Sequence, residues 1–377
     1  MKISVCDSLA AVPAAQWDTL AAADHNPFLR HAFLAGLERH GCVGERWGWR
    51  PRHLLAHEDG RLVGALPLYR KDNSYGELVF DWSWADAYQR AGLAYYPKLV
   101  SAIPYTPATG PRLLLAPDAP HDLAEHLLHA ALEQTRQLGG SSLHVLFPDA
   151  AQTAFLQANG LLRRTGTQFH WFNRGYRDFD DFLDGFKAEK RKKLKRERRR
   201  VAEQGVTLEL REGRDIDEVH WAAFHSFYRS TFDKRGGYAT LSEEFFRSLG
   251  ELMPEQVVLV LARHSGRYVA GALSFRGSDT LYGRHWGCEA EFNSLHFEAC
   301  YYLGLEYCIR HGLQRFEPGA QGEHKVARGF EPVPTWSTHW LAHAGFSAAV
   351  AKYLAHEEAA TETYMRELSD HLPYRKT

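Results

Sequence analysis

The sequence predicts a mixed α/β chain built from two unequal copies of one folding unit, and three observations carry that prediction. The first is a repeated hairpin. Residues 55–66 read LAHEDGRLVGAL and residues 261–273 read LARHSGRYVAGAL, with Gly60 on Gly266, Arg61 on Arg267, Val63 on Val269 and, after one inserted residue, Leu66 on Leu273. Each is an apolar run, a turn at a Gly-Arg pair and a second apolar run, the pattern of an antiparallel hairpin. The second is the order of elements after each hairpin. In each half a helical segment (123–138 and 295–311) precedes a short strand that ends in proline (SLHVLFP, 142–148; LQRFEP, 313–318). The third is length: 377 residues exceed the roughly 100–200 of one typical domain.

Hairpin, helix, strand and further helix within one copy make a mixed sheet with helices on its faces. The boundary falls near 163–181, after the strand-like GTQFHWFN, which assigns 1–165 to an N-terminal domain and 166–377 to a C-terminal one. The first copy is longer by about 38 residues, because 81 residues separate Leu66 from Phe147 but only 43 separate Leu273 from Phe316. The surplus coincides with 80–112, FDWSWADAYQRAGLAYYPKLVSAIPYTPATGPR, which places Trp82, Trp84, Tyr88, Tyr95, Tyr96 and Tyr105 among four prolines. Loops of this length are functional or disordered, and so many aromatics argue for order. A substrate-gripping loop and a flap over one sheet face are the two readings. On the first, Trp82, Trp84, Tyr88, Tyr96, Lys98, Thr106 and Arg112 are candidate substrate-binding residues.

Composition narrows the function. Hydrophobic residues at 45% and charged residues at 24% fit a packed globular chain. The net charge of −1 gives no global attraction for nucleic acid or anionic lipid. The charge is unevenly placed, however: 187–200 holds ten basic and two acidic residues, a local +8, so the remainder carries −9. The surrounding segment 180–204 has no proline, and Leu183, Phe186, Leu194 and Val201 give it a narrow apolar stripe at near-helical spacing. Gly205 is the expected stop. Such a density of cations suits an anionic partner, with Lys190, Arg191, Lys192 and Lys193 as the candidate anion-binding residues. RNA phosphates (tRNA among them), lipid pyrophosphate and an anionic membrane surface are the partners considered. Nothing accompanies the run that would read DNA sequence.

No apolar run approaches the roughly 20 residues of a membrane span, and Asp7 interrupts any apolar leader. The expected location is cytoplasmic, with room for peripheral attachment to the inner face of the membrane. Five scattered cysteines without a CxxC pair suit a reducing compartment. The 21 histidines include no HExxH, and neither His339/His343 nor His126/His129 has a matching third ligand, so no metal is assigned.

The densest chemistry lies late. A predicted strand 280–287 (TLYGRHWG), the helix 295–311 and a strand 314–317 lead into EPGAQGEHKVARGFEP, where Gly319, Gly322 and Gly329 surround Glu317, Glu323, His324, Lys325 and Arg328. Glycines permit close backbone approach to a ligand, and loops at strand ends carry function disproportionately.

The stretches LHFEACYYLGLEYCIRHGLQRFEPGAQGEHKVARGFEP and YYPKLVSAIPYTPATGPRLL resemble the FemAB-like proteins of the GCN5-related N-acyltransferase (GNAT) superfamily, two-domain relatives of enzymes that add amino acids to peptidoglycan precursors. The resemblance runs over nearly the whole chain and implies tandem GNAT-like mixed-sheet domains. It implies amine attack on an activated acyl carbonyl in a cleft where two neighbouring strands part, here 281–286 and 315–317. A peptidoglycan-precursor or other small amine is the implied acceptor. Acyl-CoA or aminoacyl-tRNA is the implied co-substrate, with no permanently bound cofactor. The general base is then Glu317, followed by Glu323 and His324, with Tyr282 or Tyr301 returning a proton to the leaving group. Gln321, Lys325 and Arg328 complete the substrate-binding set, unless Glu317 pairs with Lys325 or Arg328 only to fix the loop.

One departure concerns the donor. Acetyl-CoA enzymes of this superfamily carry [QR]xxGx[GA] after the first of those strands. This chain has Arg284 and Gly287, its candidate cofactor-binding residues, but Glu289 in the last place. A carboxylate there repels a pyrophosphate. Two alternatives to transfer stand beside it: a catalytically silent GNAT-fold protein that recognises a peptidoglycan or lipid-linked ligand, and an RNA-binding module that uses the basic helix alone.

Overall fold

The computed structural model describes residues 1–20, 26–234, 236–320 and 322–375. The candidate Gln321 lies outside the described residues. Two compact units emerge, Met1–Thr167 with Pro334–Tyr364, and Gln168–Val333 with Met365–Thr377. The division after residue 167 stands beside the sequence boundary at 165/166. The assignment of 334–364 to the first unit has no counterpart in a linear reading.

Both copies of the repeat form the same hairpin. His53–Glu58 pairs with Arg61–Leu66 in the first unit, and Val257–His264 pairs with Arg267–Arg276 in the second. Each turns through two residues at positive φ, Asp59 (50°) and Gly60 (82°) in one, Ser265 (50°) and Gly266 (78°) in the other. That is the tight turn whose twist matches paired strands, and its second positive-φ position is a glycine in both copies. The register also slips at matched places, after Ala56 and after Ala262.

Each unit then contains one parallel strand pair. In the first, Leu99, Val100 and Ser101 lie opposite Leu143, His144 and Val145. In the second, Thr280, Leu281 and Tyr282 lie opposite Arg315, Phe316 and Glu317. In the second unit strand Thr280–Cys288 pairs on its other side with Arg267–Arg276, so the sheet is continuous from Val206–Glu212 to Arg315–Glu317 and on to Trp171 and Phe172. In the first unit no strand makes both contacts among the described residues. One four-stranded sheet carries the hairpin, and another group carries the parallel pair with Tyr69–Lys71 and Trp49–Pro51. The longer insertion thus goes with a divided sheet.

Two expectations need correction. The 80–112 segment is not one loop: Trp82–Arg90 is a helix and Lys98–Ser101 a strand. Trp84, Tyr88 and Tyr95 are buried with Leu341, Val350 and Leu354 in a small core of the first unit. Burial of their apolar area explains much of the aromatic density. The 180–204 segment is likewise two helices, Phe179–Asp184 and Ala188–Glu203, broken where Lys187 adopts an extended conformation. Leu183, Phe186, Leu194 and Val201 are buried as their spacing predicts, and Gly205 ends the second helix at φ 71°.

Candidate functional site

The second unit gathers several candidate residues where its parallel pair ends. Pairing stops at Tyr282 and Glu317, while Thr280–Cys288 continues for six residues against its other neighbour. Among the described residues, the parallel pairing with Arg315–Glu317 does not extend along 283–286. At the same point the register slips, so Leu273 faces His285 and Ser274 faces Gly283. Arg284 is the extra residue of a β-bulge, a device that re-aims a side chain. Gly283 lets the chain after Glu317 approach, because a Cβ there would stand 3.2 Å from Pro318 Cα.

Glu317 is 3% exposed. Its register neighbours are Tyr282 on one side and, continuing the Phe316–Trp171 pairing, His170 on the other, and register neighbours share a sheet face. Arg315 Nε lies 3.2 Å from Glu317 Oε1, and His170 Nδ1 lies 3.9 Å from the same oxygen. Burial lowers His170 to about 3, helped by Arg315 and Lys325, so its ring is neutral at neutral pH. Burial and Glu317 push the Tyr282 hydroxyl well up, keeping it protonated. Arg284 is lowered to about 10 by burial, against the pull of Glu317.

The glycine-bordered loop folds back over this point. Its core is a short helix, Glu323–Arg328, between Gly322 at φ 118° and Gly329 at φ 88°. Lys325 is 1% exposed, donates to Gly319 O at 2.7 Å, and is lowered by burial to about 7. His324 is exposed, and its Nε2 shares a 2.8 Å hydrogen bond with the Tyr301 hydroxyl. Tyr301 comes from a π-helical turn, Glu298–Tyr302, within the helical run 295–310. Such turns concentrate at functional sites, and the extra residue changes the simple i, i+4 relation of Glu298 and Tyr302. Glu323 is exposed. Arg328 pairs not with Glu317 but with Glu197. It is buried, and its Nη2 donates to both oxygens of Glu197, at 2.9 and 3.0 Å.

The donor residues fit a CoA pyrophosphate poorly. Such a group needs free backbone N–H groups at the start of the helix. Here Glu289 N–H donates to Val269 O, Asn293 N–H to the Gln204 side chain and Leu295 N–H to Phe292 O. Glu289 and Glu291 stand exposed in the same turn. Gly287 serves packing: a Cβ there would lie 2.0 Å from Phe227 O on the neighbouring helix.

The basic helix Ala188–Glu203 is about 24 Å long at 1.5 Å per residue. Lys192, Lys193, Lys195, Arg196, Arg199 and Arg200 are exposed, while Lys190 and Arg191 are half-buried. Neighbours neutralise part of the run: Arg191 meets Asp184 at 3.2 Å, Lys195 meets Asp180 at 2.7 Å, and Arg198 clasps Glu298.

The first-unit candidates are spent mostly on their own unit. Lys98 is 1% exposed and donates to Ser74 Oγ at 2.9 Å, to Glu77 at 2.8 Å and to Asp81. Burial opposes its charge, but Glu77 and Asp81 outweigh it and hold the amine above the ordinary lysine range. Arg112 is fully buried and donates to the carbonyls of Leu146, Gly110, Pro111 and Ala108. It thereby fills the point where this unit's parallel strands part. Thr106 bonds its own loop at Pro104 O, and Tyr96 meets Ser74 at 2.9 Å. Trp84 and Tyr88 are core, and Trp82, 40% exposed, stacks edge-on with Tyr75.

Sequence reasoning missed His170, Arg315 and Glu197 in the second unit. It also missed a buried chain in the first that runs from Asp81 through Tyr95 to His144 and His339. No local motif marks them; strand register and helix packing bring them in. Among the described residues, no group of three or more metal-ligating side chains comes together, and no helix is long and apolar enough to cross a membrane.

Comparison with known proteins gives a family and a fold. The FemAB-like model, described as peptidoglycan biosynthesis/recognition, matches residues 8–376. No curated protein matches the chain. Among solved structures, the C-terminal domain of a putative lysylphosphatidylglycerol synthetase from Agrobacterium fabrum is similar at 11% identity, with 89% of this chain and 95% of that chain covered and a TM-score of 0.53. The L-PGS structure from Bacillus licheniformis is similar at 11% identity, 85% and 95% coverage and a TM-score of 0.51. A tandem GNAT protein from the clavulanic acid biosynthesis pathway aligns at 14% identity, 91% and 98% coverage and a TM-score of 0.48. At these identities the likeness to the two synthetase structures is one of fold alone, a mixed α/β fold.

Proposed function

Because the chain belongs to the FemAB-like family of peptidoglycan biosynthesis and recognition, we propose that it is a transferase whose second unit moves an acyl or aminoacyl group from an activated ester onto an acceptor amine. The observation that carries this reading is the buried carboxylate of Glu317 at the point where two parallel strands part, flanked by Tyr282 and His170. The acceptor ammonium gives a proton to Glu317, and the freed amine attacks the acyl carbonyl. A C–N bond forms as the ester C–O bond breaks, and the nitrogen gives its second proton to water. Charge developing on the carbonyl oxygen meets the 283–286 backbone edge and the N–H donors of the Lys325 amine. The Tyr301 hydroxyl, relayed from His324, protonates the departing oxygen.

An ester donor is favoured over a CoA thioester by the turn after Cys288, where the Glu289, Asn293 and Leu295 amides are engaged and the Glu289 and Glu291 carboxylates are exposed. The acceptor we infer is a small or cell-wall-related amine, and the exposed face of the basic helix takes the anionic part of the donor. The first unit, with Arg112 filling its strand gap, does not carry out a second reaction. The test is amide formation from charged tRNAs or acyl-CoAs. Glu317→Gln, which keeps shape and loses basicity, should lower turnover by about 10²–10⁴. Wild-type turnover in Glu317→Gln removes that residue from the mechanism.

A further inference from the structure

The basic run contains one carboxylate that faces inward. Glu197 sits three residues after Leu194 and four before Val201, so it shares the buried stripe of an otherwise cationic helix. It is 6% exposed. Both of its oxygens accept from Arg328 Nη2, and the Tyr302 hydroxyl also donates to it. Arg328 in turn donates through Nε to the Tyr302 hydroxyl at 3.1 Å and through Nη1 to the His324 carbonyl at 2.7 Å. Its guanidinium carbon lies over the Phe297 ring, 3.4 Å from the centroid. Four partners therefore fix one arginine, and that arginine fixes the backbone of the residue whose ring is bonded to Tyr301.

We propose that Glu197 is a positioning residue of the cleft: through Arg328 it sets the backbone of His324 and hence the Tyr301–His324 hydrogen bond. A buried ion pair of this kind adds little stability over an apolar replacement, yet removing one partner strands the other charge. Its retention on a helix that otherwise needs only Leu194 and Val201 to pack is accounted for by geometry at 323–328. Arg198 supplies the contrast. It is the next residue, makes a comparable ion pair with Glu298 at 2.7 Å, and touches no atom of 323–328 in its own hydrogen bonds. The inference rests on the reading of Tyr301 and His324 as the proton-returning pair, but its geometric content can be measured without turnover.

The experiment follows the His324 imidazole by nitrogen-15 NMR across pH in wild type, Glu197→Gln and Arg198→Gln. The charged or titratable groups around that ring are Arg328 and Lys325, with Tyr301, His296 and Phe297 as ring neighbours. Glutamine leaves the Arg328 charge uncompensated, so the His324 midpoint should fall by about half a pH unit or more, with no change in Arg198→Gln. A midpoint unchanged or raised in Glu197→Gln, or moved equally by Arg198→Gln, overturns the proposal. Should Glu197→Gln fail to fold, Glu197→Asp keeps the charge and shortens the reach. It should speed solvent exchange of the proton shared by Tyr301 and His324, and an unchanged exchange rate overturns the proposal equally. In the transfer assay, kcat should fall about tenfold or more with KM nearly constant. Absence of any transfer by the wild type would count against the proposed function, while the NMR result would still decide the role of Glu197.

Discussion

Replacing Lys325 by methionine should make the protein more stable and less active. The amine is 1% exposed and is lowered by burial from 10.5 to about 7. A lysine that keeps its proton in the unfolded chain but is driven to lose it on folding destabilises the native state. The penalty is complete below the folded value and fades as pH rises toward the unfolded one, since the unfolded state binds more protons between the two. From those two values it amounts to about 3 kcal/mol at pH 8 and less than about 1 kcal/mol at pH 10. Methionine removes this penalty but also the hydrogen bond to Gly319 O, a loss of about 1 kcal/mol. Lys325→Met should therefore gain about 2 kcal/mol at pH 8, and the gain should vanish by pH 10. Urea unfolding at the two pH values measures it. A variant less stable than wild type at pH 8, or a difference that does not change with pH, refutes the idea that this lysine is held in the cleft at a cost to folding.

Two further substitutions test neighbouring claims. Gly287→Ala should lower stability by at least about 2 kcal/mol, because its Cβ meets the Phe227 carbonyl oxygen at 2.0 Å; an unchanged melting temperature would return Gly287 to the donor site. The pair Lys192→Glu and Lys193→Glu, both exposed, should leave melting unchanged and weaken binding to single-stranded RNA. The slope of log affinity against log salt should shrink by about 0.7 per lost phosphate contact, and an identical slope would show that this face is not used.

What the sequence revealed came from local rules. The Gly-Arg turns fixed both hairpins, because two positive-φ positions admit few residues, and the apolar stripe of the basic segment was readable from spacing. The loop after Glu317 announced itself through three glycines, and all three adopt positive φ. Other features depend on distant pairing. His170 comes beside Glu317 only because the Trp171–Phe316 register puts it there. Glu197 was masked by the ten cations around it, since net charge hides the one side chain that turns inward. The aromatics of 80–112 misled in a different way: Trp84, Tyr88 and Tyr95 fill a core, and composition does not separate a ring that grips a ligand from a ring that packs. Lys98 and Arg112 likewise carry charges that suit a substrate, yet their donors reach Ser74, Glu77, Asp81 and four carbonyls instead.

The central claim is that the parting strands of the second unit carry out amide formation with Glu317 as base. The most direct measurement is mass-spectrometric detection of amide product from a panel of charged tRNAs and acyl-CoAs with small and cell-wall-derived amines, using wild type and Glu317→Gln side by side. Product from an ester donor is expected with the wild type, and at least about a hundredfold less with the variant. Equal product from both proteins, or binding of donor and acceptor with no product from either, would contradict it.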